Sequence, residues 1–145
     1  MAVGGAVKFP NQDPFSHNVF SNAEIGRFDL GLYRRRDTRS ATFRQSGVYA
    51  VYCNIHPRMA SYVVAVPGPH VTRATPSGTF TLRGVAPGRY VLRVWHERAP
   101  ELAQTIVVSA STPPVALTLD ARGYVPGPHL NKFGQPYATT RADRY

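Results

Sequence analysis

One seven-residue stretch, CNIHPRM at positions 53–59, constrains the fold of this chain more than any other feature. It places the thiol of Cys53, the imidazole of His56 and the thioether of Met59 in one short loop, close enough to face a common point. A second imidazole, that of His17, comes from a much earlier segment. His17 can reach the loop only if two distant segments lie side by side, as strands do in a β-sandwich.

One thiolate, two imidazoles and a thioether are the ligand types of a blue-copper electron-transfer site, in which two His and one Cys surround the metal and a Met lies farther away. Zinc also binds Cys and His readily, so it is the rival metal. The thioether of Met59 favours copper, because soft ligands select Cu(I). Four protein ligands leave no open position for a substrate, so we expect an electron carrier that cycles between Cu(I) and Cu(II), not an enzyme.

Short runs rich in β-branched and aromatic residues recur between Gly and Pro turn signals, and no segment keeps a helical period, so the sequence predicts an all-β fold. Gly47 opens the clearest strand, in which Tyr49, Val51 and Cys53 share one face. The predicted strands of the first half are 7–9, 17–20, 28–32, 41–43, 48–52 and 62–66. Those of the second half are 71–74, 79–82, 90–95, 105–108 and 115–119.

Composition and turn signals divide the chain into three predicted parts. A Pro-Gly-Pro sequence marks the end of a first domain at 1–67, and a second β-module follows at 70–120. Residues 121–145 are expected to form a basic tail rich in Gly and Pro, which drapes over the surface or frays.

The chain is strongly basic, with 17 Lys and Arg residues against 8 Asp and Glu residues and a net charge of +9. Such an excess favours acidic partners. No recognised nucleic-acid-binding motif accompanies the charge, so we expect a redox protein partner, favoured to be acidic, and no nucleic acid. No stretch of eighteen apolar residues occurs, so no transmembrane segment is expected. Cys53 is the single cysteine, which excludes an intramolecular disulfide.

The sequences FPNQD at 9–13, HNVFS at 17–21 and GVY at 47–49, followed by the loop at 53–59, resemble the cupredoxin family of plastocyanin and pseudoazurin type over roughly residues 7–66. The resemblance implies a Greek-key sandwich. It also implies a mononuclear type 1 copper site that passes single electrons between protein partners.

Through this resemblance the expected copper ligands are His17, Cys53, His56 and Met59. Asn18 is implied as an outer partner of the site, whose hydrogen bonds tie the first ligand strand to the Cys53 loop. We expect His56 to lie near the surface, at the point where electrons enter and leave. An apolar docking patch is expected around it, formed by Pro14, Phe15 and Pro57.

The second half contains GTFTL at 78–82, VAPGRY at 85–90 and LRVWHE at 92–97, which look like a small carboxypeptidase-regulatory-like β-module of prealbumin type. Periplasmic chains described as methylamine utilisation proteins join such a module to a cupredoxin unit, and the end of this chain resembles their tail. The resemblance implies a periplasmic location. No export signal is visible, and cupredoxins carry one or two further strands before the first one predicted here, so we expect the natural chain to begin upstream of Met1.

Two other functions stay open on the sequence alone. One is a periplasmic copper carrier or storage protein with no redox partner. The other is a β-sandwich binding module in which metal binding is incidental, which the charge of +9 supports weakly. His70, His96 and His129 have no ligand-type spacing, so a structural role is expected for each of them.

Overall fold

The computed structural model describes residues 1–125 and 127–137. Every regular element in these residues is a β-strand, which confirms the all-β class predicted from the sequence. In chain order the strands are β1 (Ala6–Pro10), β2 (His17–Ser21), β3 (Phe28–Tyr33), β4 (Thr38–Thr42), β5 (Gly47–Cys53), β6 (Ala60–Ala65), β7 (Gly88–His96) and β8 (Ala99–Val108). Within the same residues there is no helix of the length and hydrophobicity needed to cross a membrane.

The strands pair in antiparallel sheets. β1 pairs with β4, and β7 pairs with β8 in a hairpin. Another sheet has four strands in the order β3-β2-β5-β6, so that β2 and β5 are neighbours although two strands separate them in the sequence. Val19 lies opposite Cys53 in this pairing, and Phe20 lies opposite Tyr52. Since β2 begins at His17 and β5 ends at Cys53, the pairing brings two predicted ligands to the same end of the sheet.

The core that supports this sheet lies between it and the pair β1–β4. Its buried members are Ala41, Phe43, Tyr49, Val51 and Ala65. The ring of Phe43, 1% exposed, packs edge-on against Tyr49 with centroids 4.8 Å apart, and against Phe28 at 5.8 Å. Residues of both sheets therefore share one apolar interior, and the strands that carry His17 and Cys53 are held against it.

The chain divides into two compact units. One comprises Met1–Val71 with Pro128–Tyr145, and the other comprises Thr72–Gly127. We call residues 128–137 the C-terminal strap. The strap groups with the first unit, and the domain boundaries 1–67, 70–120 and 121–145 stay a prediction. Residues 126 and 138–145 of the expected tail lie outside the described residues.

Three strands expected in the second half are not formed. Residues 71–74, 79–82 and 115–119 belong to no strand. A turn before residue 79 uses backbone N–H and carbonyl groups that a strand would pair with its neighbour. The Thr75 N–H donates to the Thr79 carbonyl oxygen at 2.9 Å, and the Thr79 N–H donates to Thr75 Oγ1 at 3.1 Å. Hydroxyl side chains that bond to nearby backbone groups compete with strand pairing in this way.

Candidate metal centre

Three side chains meet at one end of the four-stranded sheet. Cys53 Sγ lies 3.6 Å from His17 Nδ1 and 3.4 Å from His56 Nδ1. Their ligand atoms all lie within 4.8 Å of one another, and residues 1–125 and 127–137 contain no other such group of His, Cys, Asp or Glu. Ligands bound at about 2.3 Å through sulfur and about 2.0 Å through nitrogen stand about 3.5–3.7 Å apart around one tetrahedral or trigonal ion. These separations fit one metal ion, and a thiolate with two imidazoles is the trigonal donor set of a blue-copper site, so the cluster fits one copper ion.

Solvent reaches the three donors unequally. Cys53 is 2% exposed and His17 is 5% exposed, whereas His56 is only partly buried. Burial lowers the pKa of His56, and the neighbouring His17 ring lowers it further. The His56 imidazole is therefore neutral at neutral pH, which is the form that binds a metal. The cluster combines a shielded sulfur with one imidazole that another molecule can approach.

The orientation of His17 is fixed by Asp13. His17 Nε2 donates to Asp13 Oδ2 at 2.8 Å, which leaves Nδ1 facing the sulfur of Cys53. The Asp13 N–H in turn donates to Asn11 Oδ1 at 2.9 Å, and Asn11 is 2% exposed. A carboxylate bound to the outer nitrogen of a ligating His fixes its tautomer and its orientation. The sequence-based prediction missed both Asp13 and Asn11, although a carboxylate four positions before His17 could have indicated the pair.

Asp13→Ala is expected to weaken copper binding about 10-fold, because outer partners of metal-bound His residues typically contribute 10–100-fold to affinity. The variant leaves the donors in place but removes the acceptor of the His17 Nε2 bond. A competition titration with a chelator of known copper affinity measures the effect. Asp120→Ala, which removes an exposed carboxylate paired with Arg122 in the second unit, is the control. Equal affinities in the two variants would contradict the role of Asp13.

Phe15 covers the two imidazoles from outside. Its ring lies edge-on to both, with centroids 5.3 Å from His17 and 5.0 Å from His56, and the residue is 50% exposed. Pro14 is exposed, and Pro57 is partly exposed. An apolar surface therefore adjoins the cluster on the side of Phe15.

Hydrogen bonds close the loop between Cys53 and Met59 on itself. The Met59 N–H donates to the His56 carbonyl oxygen at 3.0 Å, and the Cys53 N–H donates to the Met59 carbonyl oxygen at 3.3 Å. These bonds keep the main chain of Met59 beside the cluster. Its side chain is 43% exposed, and ligation by the thioether stays a prediction.

Asn18, the expected outer partner, connects the strand of His17 to two other segments. Its side-chain Nδ2 donates to Asp29 Oδ1 on β3. Its carbonyl oxygen accepts a hydrogen bond from the Asn54 N–H at 2.9 Å. The link from this strand to the Cys53 loop therefore runs through the main chain of Asn18, while its amide side chain is bonded to β3.

The C-terminal strap also reaches the cluster. Tyr137 Oη donates to the Cys53 carbonyl oxygen at 2.9 Å. Burial raises the pKa of Tyr137 to about 12, with further contributions from Cys53 and Tyr52, so the hydroxyl stays protonated and can donate at neutral pH. Nothing in the local sequence pattern of the tail indicated this contact.

No family model matches the chain, and no curated protein matches it. Among solved structures it is similar to a purple cupredoxin from Nitrosopumilus maritimus, with 27% identity, 46% of this chain and 74% of that chain covered, and a TM-score of 0.41. It is also similar to reduced forms of two amicyanin variants, with 28% and 31% identity and TM-scores of 0.42 and 0.41. These structural neighbours are cupredoxins.

The amicyanin matches are partial. They cover 45% of this chain and 65% of the amicyanin chains, which is less than two thirds of their length. Since the TM-scores of 0.41 and 0.42 are low, the interpretation of the cluster rests on its own donor atoms and their separations.

Proposed function

We propose that this protein is a mononuclear type 1 copper protein that carries single electrons between protein partners. The observation that carries the proposal is the position of Cys53 Sγ, 3.6 Å from His17 Nδ1 and 3.4 Å from His56 Nδ1. A thiolate and two imidazoles at these separations suit the trigonal part of a blue-copper site. Met59, in the same loop, is proposed as the distant fourth ligand from the order of ligand types in the sequence.

Bound copper supplies a one-electron change between Cu(I) and Cu(II). The chain holds the donors in fixed positions and shields Cys53 and His17 from solvent. Asp13 fixes the His17 ring, and the closed loop at 53–59 fixes Cys53 relative to His56. Donors that keep their positions when the charge of the site changes make the reorganisation that accompanies electron transfer small. With Met59 as the proposed fourth ligand no position is left for a substrate, which supports a carrier rather than a catalyst.

We place the entry and exit of electrons at His56, because its ring is the most accessible of the three donors. Phe15 lies against this ring and is half exposed. A redox partner that docks on the apolar surface around Phe15 therefore comes close to the donor set.

Phe15→Asp is expected to slow electron self-exchange between two copies of the protein about 10-fold, since a carboxylate at each docking surface must lose its water before two copies meet. NMR line broadening in mixtures of the oxidised and reduced protein measures the rate. No ligand is replaced, so the visible copper band is expected to stay. Val107→Asp, which changes a 67% exposed apolar residue of the second unit, is the control for the added charge. Equal self-exchange rates in wild type and Phe15→Asp would reject the docking surface.

The proposed partner is an acidic redox protein, and the proposed location is the periplasm that the family resemblance implies. The net charge of +9 supports an acidic partner. The exposed arginines at 34–36 are connected to the loop of Phe15 through Asn11, because the Arg36 N–H donates to the Asn11 carbonyl oxygen at 2.8 Å and Asn11 Nδ2 donates to the Phe15 carbonyl oxygen at 2.9 Å. Opposite charges raise encounter rates, and added salt then lowers them.

For the second unit we propose the carboxypeptidase-regulatory-like β-module assigned to 70–120, between a copper domain at 1–67 and a tail at 121–145. Its support in the fold is the antiparallel hairpin of β7 and β8, whose register runs from Gly88 opposite Val108 to His96 opposite Ala99. Burial alternates along β7 from Gly88 to Val94, as in a sheet with one covered face, whereas β8 keeps this alternation only from Ile106 to Val108.

Adding Cu(II) to the purified protein tests the proposed function. We expect an intense visible thiolate-to-copper band, an EPR spectrum with a narrow copper splitting, and reversible oxidation and reduction. Binding of Cu(I) without colour would favour the copper carrier or storage protein instead. Absence of copper binding would reject the proposal and leave the β-sandwich binding module.

A further inference from the structure

The C-terminal strap contacts the chain at the two residues where β5 passes into the ligand loop. Tyr137 Oη donates to the Cys53 carbonyl oxygen at 2.9 Å. The Lys132 N–H donates to Asn54 Oδ1 at 3.0 Å. Two separate positions of the strap therefore hold a candidate ligand and the residue that follows it.

A second set of bonds connects the strap to the strand of His17. Lys132 Nζ lies 2.7 Å from Asp29 Oδ2, and the other oxygen of Asp29 accepts a hydrogen bond from Asn18 Nδ2. Burial acts to raise the pKa of Asp29, but the bonds from Lys132 and Asn18 outweigh it and lower the pKa, so this carboxylate is charged at neutral pH. Asn18 directly follows His17, so the strap is linked to neighbours of both buried donors.

Aromatic packing adds a third connection. The His129 ring stacks on Tyr52 with centroids 3.8 Å apart and planes inclined by 11°. The same ring meets Tyr137 edge-on at 5.1 Å. Since Tyr52 precedes Cys53 in β5, the stack restrains the strand at the residue before the donor. The last two residues of β5, Tyr52 and Cys53, and the residue that follows them, Asn54, thus each have a partner in the strap.

From these contacts we infer that the strap is part of the metal centre, where it holds the strands of Cys53 and His17 at ligand spacing before a metal ion arrives, with Tyr137 as its main positioning residue. The role in metal binding rests on the proposed copper function, whereas the restraint itself is a property of the metal-free chain. A strand end that is bonded at consecutive residues has little freedom to open locally. Donors that are already in place lose less conformational freedom on binding, which raises affinity.

Tyr137→Phe tests the inference, because it removes the hydroxyl that bonds to Cys53 and keeps the ring beside His129. In the metal-free full-length protein, amide hydrogen exchange at Asn54 and at Met59 is expected to become about 5-fold faster, the effect of losing one hydrogen bond. Exchange in the middle of β5 is expected to stay unchanged. After copper is added, we expect about 10-fold weaker binding and a shifted thiolate-to-copper band.

Tyr90→Phe is the matched control, because Tyr90 Oη donates to the Ala86 carbonyl oxygen at 3.0 Å in the second unit. It is expected to leave the loop amides and the copper affinity unaltered. Unchanged exchange at Asn54 with unchanged copper affinity in Tyr137→Phe would overturn the inference. Uniformly faster exchange throughout the first unit would overturn it as well, since a purely structural role produces that pattern. If the wild-type protein binds no copper, the proposed function fails, but the exchange measurement still decides whether the strap restrains the loop.

Discussion

Cys53→Ser is expected to abolish the intense visible band of the copper-loaded protein. It is also expected to weaken copper binding by more than about 100-fold, which exceeds the usual effect of losing a residue that hydrogen-bonds to a ligand. A hydroxyl is a harder donor than a thiol and stays protonated at neutral pH, so it cannot replace the sulfur between His17 and His56. A copper titration followed by visible and EPR spectroscopy measures both effects.

His70→Ala is the control for this experiment, because it removes an exposed imidazole that is not part of the cluster. It is expected to keep the band and the affinity. Since Cys53 is 2% exposed, thermal unfolding of the metal-free proteins separates a lost ligand from a lost fold. A band of full intensity in Cys53→Ser would show that the thiolate does not bind the metal.

Phe43→Ala is expected to destabilise the first unit by about 3–5 kcal/mol, the usual cost of emptying the space of a buried Phe. Its ring is 1% exposed and packs against Phe28 and Tyr49 between the two sheets of that unit. Native domains are stable by only about 5–15 kcal/mol, so we expect the variant to lose a large part of the stability of the first unit. Urea unfolding followed by NMR of first-unit amides measures the loss.

The second unit provides an internal reference for that measurement, because Trp95, the single tryptophan, lies within it. The urea midpoint of its fluorescence transition is expected to be the same in the variant as in the wild-type protein. Leu32→Ala, at a 62% exposed position of β3, is expected to change the stability of the first unit by less than about 0.5 kcal/mol. Equal unfolding midpoints for Phe43→Ala and Leu32→Ala would contradict the position of the core.

The sequence predicted those features that depend on local period and on residue type. Along β5 the buried positions are Tyr49, Val51 and Cys53, as the alternation indicated, and the strand begins at Gly47 as expected. The order of ligand types also indicated that His17 had to lie beside the loop of Cys53, and the pairing of β2 with β5 brings them together.

The contacts that hold the donors in place could not be predicted in the same way. Asn11 lies in an irregular loop, where no strand period identifies it as buried, and only the spacing of four residues between Asp13 and His17 gave an indication. Tyr137 and Cys53 are 84 residues apart, and a hydrogen bond between a side chain and a main-chain carbonyl leaves no pattern in either segment. The missing strand at 79–82 has a related cause, because the bonds of Thr75 depend on turn geometry that strand propensity does not describe.

The division of the first unit into two stretches of chain has a consequence for biosynthesis. Met1–Val71 leaves the ribosome before Thr72–Gly127, and the residues of the strap follow both. While the strap is not yet synthesised, the main-chain carbonyl of Cys53 therefore lacks the hydrogen bond from the Tyr137 hydroxyl. The contacts of the site are therefore complete only after translation has passed residue 137, and a recombinant fragment that stops at Val71 lacks the hydrogen bond from Tyr137 to Cys53.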